Sequence, residues 1–229
     1  MFETPMNPFK TTTDFLWILD AILSVGEQSS MKELFITNAF NFINNHKNLD
    51  HYNEVKIKYG LEVMYHFFTK LFVVIIISIL LNTIKYIIPL FISFGLLRTF
   101  GYGIHAKTNL ECWIFTISLY IICGIYLKMY YFNTYIKLAI FVISFISMLL
   151  WAPSDTKGRP LVNKRKRRIL KLFCLITLLI EGLLSFKTKY FFKDVFVIAA
   201  ALETIVINPY LYKITGTPRK NYENYKEFT

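Results

Sequence analysis

A histidine and a cysteine, His105 and Cys112, lie seven positions apart in a short polar segment between two apolar runs. This pair is the minimum needed for thiol catalysis, in which an imidazole removes the thiol proton and the thiolate attacks a carbonyl carbon. On a straight helix the two residues would be about 10.5 Å apart along the axis, too far for a hydrogen bond. The chain must therefore bend between them if they act together.

The sequence predicts such a bend directly before the cysteine. Thr108 and Glu111 have the spacing of a capping box, so a helix is expected to start at Asn109 and to carry Cys112 in its first turn. A helix N-terminus has partial positive charge, which favours a cysteine thiolate. His105, on the preceding loop, could then fold back onto the cysteine.

Two glycines in the same segment, Gly101 and Gly103, are expected to leave the backbone free to approach a substrate closely. The alternative interpretation is that Cys112 is a small packing residue at a helix end. We assign that packing role to Cys123 and Cys174, which lie in the middle of apolar runs.

The composition predicts the setting of this segment. Of the 229 residues, 55% are hydrophobic and 18% charged, against about 25% charged in an ordinary soluble domain. These values exclude a soluble globular domain, a disordered chain and a nucleic-acid-binding module, and they indicate a multi-pass membrane protein. The net charge of +11 is then interpreted as Lys and Arg retained in cytoplasmic loops, and no nucleic-acid partner is expected.

The apolar pattern predicts an all-α polytopic fold with about six transmembrane helices, preceded by amphipathic helices at the N-terminus. One amphipathic helix is expected over 14–25, and a second starts with the capping-box spacing Ser30 to Glu33. The predicted spans are about 61–81, 84–97, 113–128, 136–152, 169–186 and 193–212. We therefore divide the chain into an interfacial region (1–60), a transmembrane domain (61–212) and a cytoplasmic C-terminal tail (213–229).

The most basic segment of the chain predicts the orientation in the membrane. Between Pro153 and Lys171 there are eight Lys and Arg residues and one acidic residue, Asp155, so this segment should be cytoplasmic. Counting back two spans puts the segment from Arg98 to Glu111 on the same side, and both termini as well.

The segment around His105 resembles the accessory gene regulator protein B (AgrB) family. The matching residues are Arg98, Gly103, His105, Ala106 and Cys112, placed directly before a span, with Lys58–Glu62 upstream and Ala152-Pro153 followed by a basic loop downstream. The resemblance covers about residues 50–215. The chain departs from the family at Tyr102, which separates two glycines that are often adjacent in its members.

The resemblance implies a multi-pass membrane cysteine endopeptidase of a Gram-positive bacterium. Such a protein cuts the C-terminal tail from a small pro-peptide of the accessory gene regulator D type and holds the peptide as a thioester. An internal Cys or Ser of the peptide then closes a thiolactone or lactone ring, which yields a quorum-sensing autoinducer. By motif match, Cys112 is the nucleophile, His105 is the general base, and Arg98 and Gly103 shape the site. No metal or cofactor is required.

Three points stay open at the level of the sequence. The group that orients His105 is Asp155, Asn109 or a backbone carbonyl, since Glu111 is assigned to the helix cap in support of the site. Oligomeric state is open, and a homodimer is compatible with the sequence. The basic cluster consists of Lys164, Arg165, Lys166, Arg167 and Arg168. It either sets topology and attracts anionic membrane lipids, or binds an acidic pro-peptide tail.

The alternatives to a peptidase are a membrane peptide transporter and a non-catalytic membrane scaffold. A transporter is disfavoured because charged residues within the predicted spans, which often mark ion pathways, are scarce, with Glu181 and Glu203 as the main examples. A scaffold would leave Cys112 no more reactive toward thiol reagents than Cys123 or Cys174.

Overall fold

A computed structural model describes residues 29–45, 50–106, 108–157, 160–187 and 193–225. Within these ranges the regular elements are helices. They are α1 (Ser29–Asn44), α2 (His51–Leu80), α3 (Ile84–Gly101), α4 (Asn109–Met129), α5 (Thr134–Trp151), α6 (Lys164–Lys187), α7 (Lys193–Val206), α8 (Pro209–Ile214) and a 3-10 turn (Asn221–Asn224). The all-α prediction is confirmed. The amphipathic helix predicted over 14–25 lies outside the described residues.

Five of the described helices, α2 to α6, are long and apolar enough to cross a membrane. The helix α2 has 30 residues and begins at His51, ten positions before the predicted span. This extension is polar, with Glu54 and Lys58 joined by an ion pair of 2.6 Å one helical turn apart. The five helices establish a multi-pass membrane protein.

The chain forms two compact units, residues 1–81 and 82–229. In the first unit, α1 packs on α2. Lys32 of α1 forms an ion pair of 2.8 Å with Glu62, and the rings of Phe35 and Tyr65 lie 5.6 Å apart. The helix α1 begins at Ser29, one residue before the expected cap at Ser30.

In the second unit, α7 is the central helix and packs against α3, α5 and α6. Its buried apolar residues are Val195, Val197, Ile198, Ala199, Ala200 and Val206. At its start Asp194 forms a buried ion pair of 2.6 Å with Lys137 of α5 and accepts the backbone N–H of Phe132 at 3.3 Å. These interactions fix α7 between its neighbours at the end of the bundle away from His105.

The sixth predicted span, 193–212, consists of two helices rather than one. The helix α7 ends at Val206 and α8 starts at Pro209, with the Asn208 side chain accepting the backbone N–H of Tyr210 at 2.8 Å. An Asn cap followed by Pro is a favoured helix start, because Pro lacks an N–H and has a fixed φ. The 14 residues of α7 span about 21 Å, less than the hydrocarbon core of about 30 Å.

Candidate active site

The loop between α3 and α4 carries His105, and its shape depends on a glycine. Gly103 has a φ of 105°, a conformation that side chains with a Cβ rarely adopt. A Cβ at this position would collide with the Arg98 side chain and lie 2.8 Å from the carbonyl oxygen of Val206. Both the conformation and the space therefore require glycine at residue 103.

Backbone hydrogen bonds fix this loop from two sides. The N–H of Gly103 donates to the carbonyl of Ser154 at 2.8 Å, and the N–H of Ser154 donates to the carbonyl of Gly101 at 2.9 Å. On the other side, the N–H of Ile104 donates to the carbonyl of Val206 at 3.0 Å, at the end of α7. The residue before His105 is thus attached to the central helix.

Arg98, in the last turn of α3, holds the loop from within. One guanidinium nitrogen donates to the carbonyl of Tyr102 and another donates to the carbonyl of Ile104. The guanidinium also lies within electrostatic range of Cys112, Glu203 and Tyr212. Arg98 therefore links the loop that carries His105 to the region of the cysteine.

The surroundings of Gly101 and Gly103 differ from those expected from the sequence. Both are buried; a Cβ on Gly101 would collide with the carboxylate of Glu203 and lie 3.3 Å from the sulfur of Cys174. The expectation that they leave the backbone open to a substrate is wrong, because protein groups occupy the space beside them. They allow the chain to pack closely against Glu203, Arg98 and Val206.

The capping box before Cys112 is confirmed. The N–H of Glu111 donates to the Thr108 hydroxyl at 3.2 Å, and the Thr108 N–H donates to the Glu111 carboxylate at 3.2 Å. Cys112 is half-buried in the first turn of α4, and its own N–H donates to the Thr108 carbonyl at 3.1 Å. His105 is exposed on the loop just before this cap.

Ser154 and Tyr212 support the site but were missed at the level of the sequence. The Tyr212 hydroxyl donates to the Ser154 carbonyl at 3.1 Å. Burial raises the pKa of Tyr212, which keeps this donor protonated. In the sequence, only the Ala152-Pro153 motif directly before Ser154 pointed to this part of the chain. A hydrogen bond between residues that are 58 positions apart cannot be predicted from sequence spacing.

Asp155, one of the candidates for orienting His105, has another role. Its two carboxylate oxygens accept the backbone N–H groups of Asn221 and Tyr222, each at 3.1 Å. Asp155 therefore binds the 3-10 turn of the C-terminal segment with both of its carboxylate oxygens.

One residue of the basic cluster makes hydrogen bonds within the fold, and the other four are exposed. The guanidinium of Arg167 donates to the carbonyls of Leu161 and Val162, at 2.7 and 2.9 Å, and lies 3.9 Å above the ring of Tyr222. Lys164, Arg165, Lys166 and Arg168 are exposed. Arg167 thus has a structural role at the start of α6.

All three cysteines are free thiols. Cys174 is fully buried, with its sulfur 3.6 Å from that of Met148, whereas Cys112 and Cys123 are half-buried. Among the described residues no group of three or more His, Cys, Asp or Glu side chains is arranged to hold a metal ion. Of the three thiols, Cys112 is the one in the first turn of a capped helix.

These features define an all-α, multi-pass membrane protein with a Cys and a His at one end of its helical bundle. Residues 36–207 match the family model "Accessory gene regulator B". The chain belongs to the accessory gene regulator B family. Membership places it in an accessory gene regulator quorum-sensing system, in which a pro-peptide is processed.

Individual relatives agree with this family. The chain is 30% identical to an AgrB-like protein of Clostridium acetobutylicum, over 81% of this chain and 88% of the relative. It is 28% identical to an AgrB-like protein of Listeria welshimeri, over 75% and 85%. It is 27% identical to the accessory gene regulator protein B of Staphylococcus haemolyticus, over 75% and 90%. No solved structure matches the chain.

Proposed function

We propose that this protein is a membrane cysteine endopeptidase that removes the C-terminal tail of its pro-peptide and promotes cyclisation of the remainder. The observation that carries the proposal is the position of Cys112 in the first turn of a capped helix, directly after the His105 loop that Arg98 holds. Family membership supports a pro-peptide as the substrate.

In the proposed reaction the imidazole of His105 takes the proton of the Cys112 thiol, and the thiolate attacks the carbonyl carbon of the scissile peptide bond. The C–N bond breaks, the imidazolium protonates the leaving amine, and the peptide stays on Cys112 as a thioester. An internal Cys or Ser of the peptide then attacks the carbonyl carbon of this thioester, its thiol or hydroxyl proton passes to the His105 imidazole, and the Cys112 thiolate leaves. The α4 N-terminus and the Arg98 guanidinium both place positive charge near the sulfur while it is anionic.

The test is to capture the thioester on purified protein reconstituted with its cognate pro-peptide. Mass spectrometry should show the enzyme mass increased by the peptide without its tail, mapped to Cys112 and removable by hydroxylamine. Cys112→Ser and His105→Ala should each abolish cleavage, and the double variant should be no worse than either single, because the two residues act as one unit.

Cys123→Ala and Cys174→Ala are the matched controls and should keep most of the activity. Because a transporter or a scaffold would form no adduct, the same experiment separates those alternatives from a peptidase. Normal cleavage by Cys112→Ser, or an adduct mapped to another cysteine, would exclude the mechanism.

We also propose that Arg165 and Lys166, two exposed members of the basic cluster, attract an acidic pro-peptide tail on the cytoplasmic side. Replacing Arg165 and Lys166 by Gln should slow processing of an acidic-tailed peptide several-fold and leave a tail-neutralised peptide nearly unaffected, because only the former has charge to attract. Initial rates for both peptides measure this. Equal losses would instead favour a role of these residues in topology.

A further inference from the structure

A pocket of about 310 Å³ lies in the second unit, where the end of α5, the start of α6 and the C-terminal segment meet. Six basic residues line it: Lys164, Arg167, Arg168, Lys171, Arg219 and Lys220. Asp155 is the acidic residue among the described lining, and its oxygens accept two backbone N–H groups. The pocket is therefore strongly positive and suited to an anion.

The basic side chains differ in what else they bind. Arg167 is held by two backbone carbonyls, and Arg219 donates to the carbonyl of Trp151 at 3.1 Å. In contrast, within the part of the chain that the structure describes, no carboxylate pairs with Lys164, Arg168 or Lys171. These three positively charged side chains at the pocket can therefore pair with an anionic ligand.

The position of the pocket in the fold puts it at the surface of the membrane. It lies at the junction of α5 and α6, two successive helices that are each able to cross a membrane, so the junction must be at an interface. Trp151 lines it at the end of α5, and Leu150 beside it is 64% exposed. Trp is typical of the headgroup level, and an exposed Leu next to it faces acyl chains.

We propose that this pocket binds the phosphate group of an anionic phospholipid, with Lys164, Arg168 and Lys171 around the phosphate and the acyl chains along the exposed side of Leu150. The combination of a positive pocket with an apolar neighbour at the headgroup level favours a lipid over a water-soluble ligand. A free phosphate ion is also negatively charged, but it has no acyl chains that could pack against Leu150. The proposal does not depend on the peptidase activity.

The test is native mass spectrometry of the purified full-length chain in a neutral detergent, with phosphatidylglycerol or the uncharged phosphatidylcholine added. The wild-type chain should retain phosphatidylglycerol preferentially. Arg168→Gln with Lys171→Gln should reduce retention on the order of tenfold. Arg165→Gln with Lys166→Gln removes the same charge from the same helix without altering the lining, and should retain the lipid.

Arg219→Gln, on a different segment, gives a second variant if the first does not fold, and it should also weaken retention. Equal binding of both lipids by the wild-type chain would overturn the proposal, as would equal losses in the pocket and control variants. Displacement of the lipid by inorganic phosphate at equal concentration would assign the pocket to a free anion. Displacement by an acidic-tailed peptide would assign it to the substrate; either result would overturn the lipid assignment.

Discussion

The Arg98 side chain uses the fork of its guanidinium to bind two carbonyls on either side of Gly103, those of Tyr102 and Ile104. Lysine has the same charge but only a single ammonium, which cannot reproduce this planar arrangement. A lost charge-assisted hydrogen bond costs about 1.5–3 kcal/mol. Arg98→Lys should therefore lower the rate of pro-peptide cleavage by roughly tenfold or more.

The matched control for this prediction is Arg165→Lys, the same exchange at an exposed position of α6, which should leave cleavage nearly unchanged. Both variants should be compared at equal amounts of membrane-inserted protein. Full activity of Arg98→Lys would show that the charge of Arg98 matters and its two hydrogen bonds do not.

Local signals predicted the surroundings of Cys112 correctly, because a capping box depends on residues three positions apart. The spacing of Thr108 and Glu111 was sufficient to place the start of α4. By contrast, the function of Gly101 was misjudged, since the group beside it is Glu203, which is 102 positions away in the sequence. Residue-level predictions were accurate where the interaction is local and failed where packing brings distant segments together.

At the scale of the element, the start of α4 allows the role of Glu111 to be tested. Its carboxylate accepts the N–H of Thr108 in the capping box, a bond that a Gln side chain can also accept. If Glu111 only caps the helix, Glu111→Gln should retain most of the cleavage activity, whereas Glu111→Ala should lower both activity and stability. Loss of one cap interaction costs about 1 kcal/mol.

Cleavage rates and thermal unfolding of the two Glu111 variants measure this effect. Thr108→Ser provides the control, because Ser caps a helix as well as Thr does. Strong inactivation by Glu111→Gln at unchanged stability would indicate instead that the negative charge of Glu111 takes part in the reaction or orients His105.

The last predicted span shows why hydropathy alone did not locate the break between α7 and α8. Residues 193–212 are largely apolar, but burial inside the bundle and burial in lipid select the same residue types. The helix α7 is apolar because it is surrounded by α3, α5 and α6. The break was readable from Asn208-Pro209, which has the signature of a helix start.

At the scale of the whole molecule, the loop after α3 and the segment after α5 are in contact, although two membrane-spanning helices separate them in the sequence. The loop after α3 pairs with the segment after α5 through the hydrogen bonds between Gly103 and Ser154 and between Ser154 and Gly101. Two spans, α4 and α5, lie between these loops and return the chain to the side from which it started. This pairing fits the charge-based prediction that both loops are on one side of the membrane.

The remaining question at this scale is which side that is, and the basic cluster predicts the cytoplasm. Fusions that join a reporter after Lys107 and after Lys166 should therefore both behave as cytoplasmic, fluorescent with green fluorescent protein and inactive with alkaline phosphatase. A fusion after Phe132, between α4 and α5, provides the control and should behave in the opposite way. Extracellular signals from both Lys107 and Lys166 would reverse the predicted orientation and would place the proposed thioester chemistry of Cys112 at the outer surface. Opposite signals from the two would contradict the pairing of Gly103 with Ser154, since hydrogen-bonded residues cannot lie on opposite faces of a bilayer.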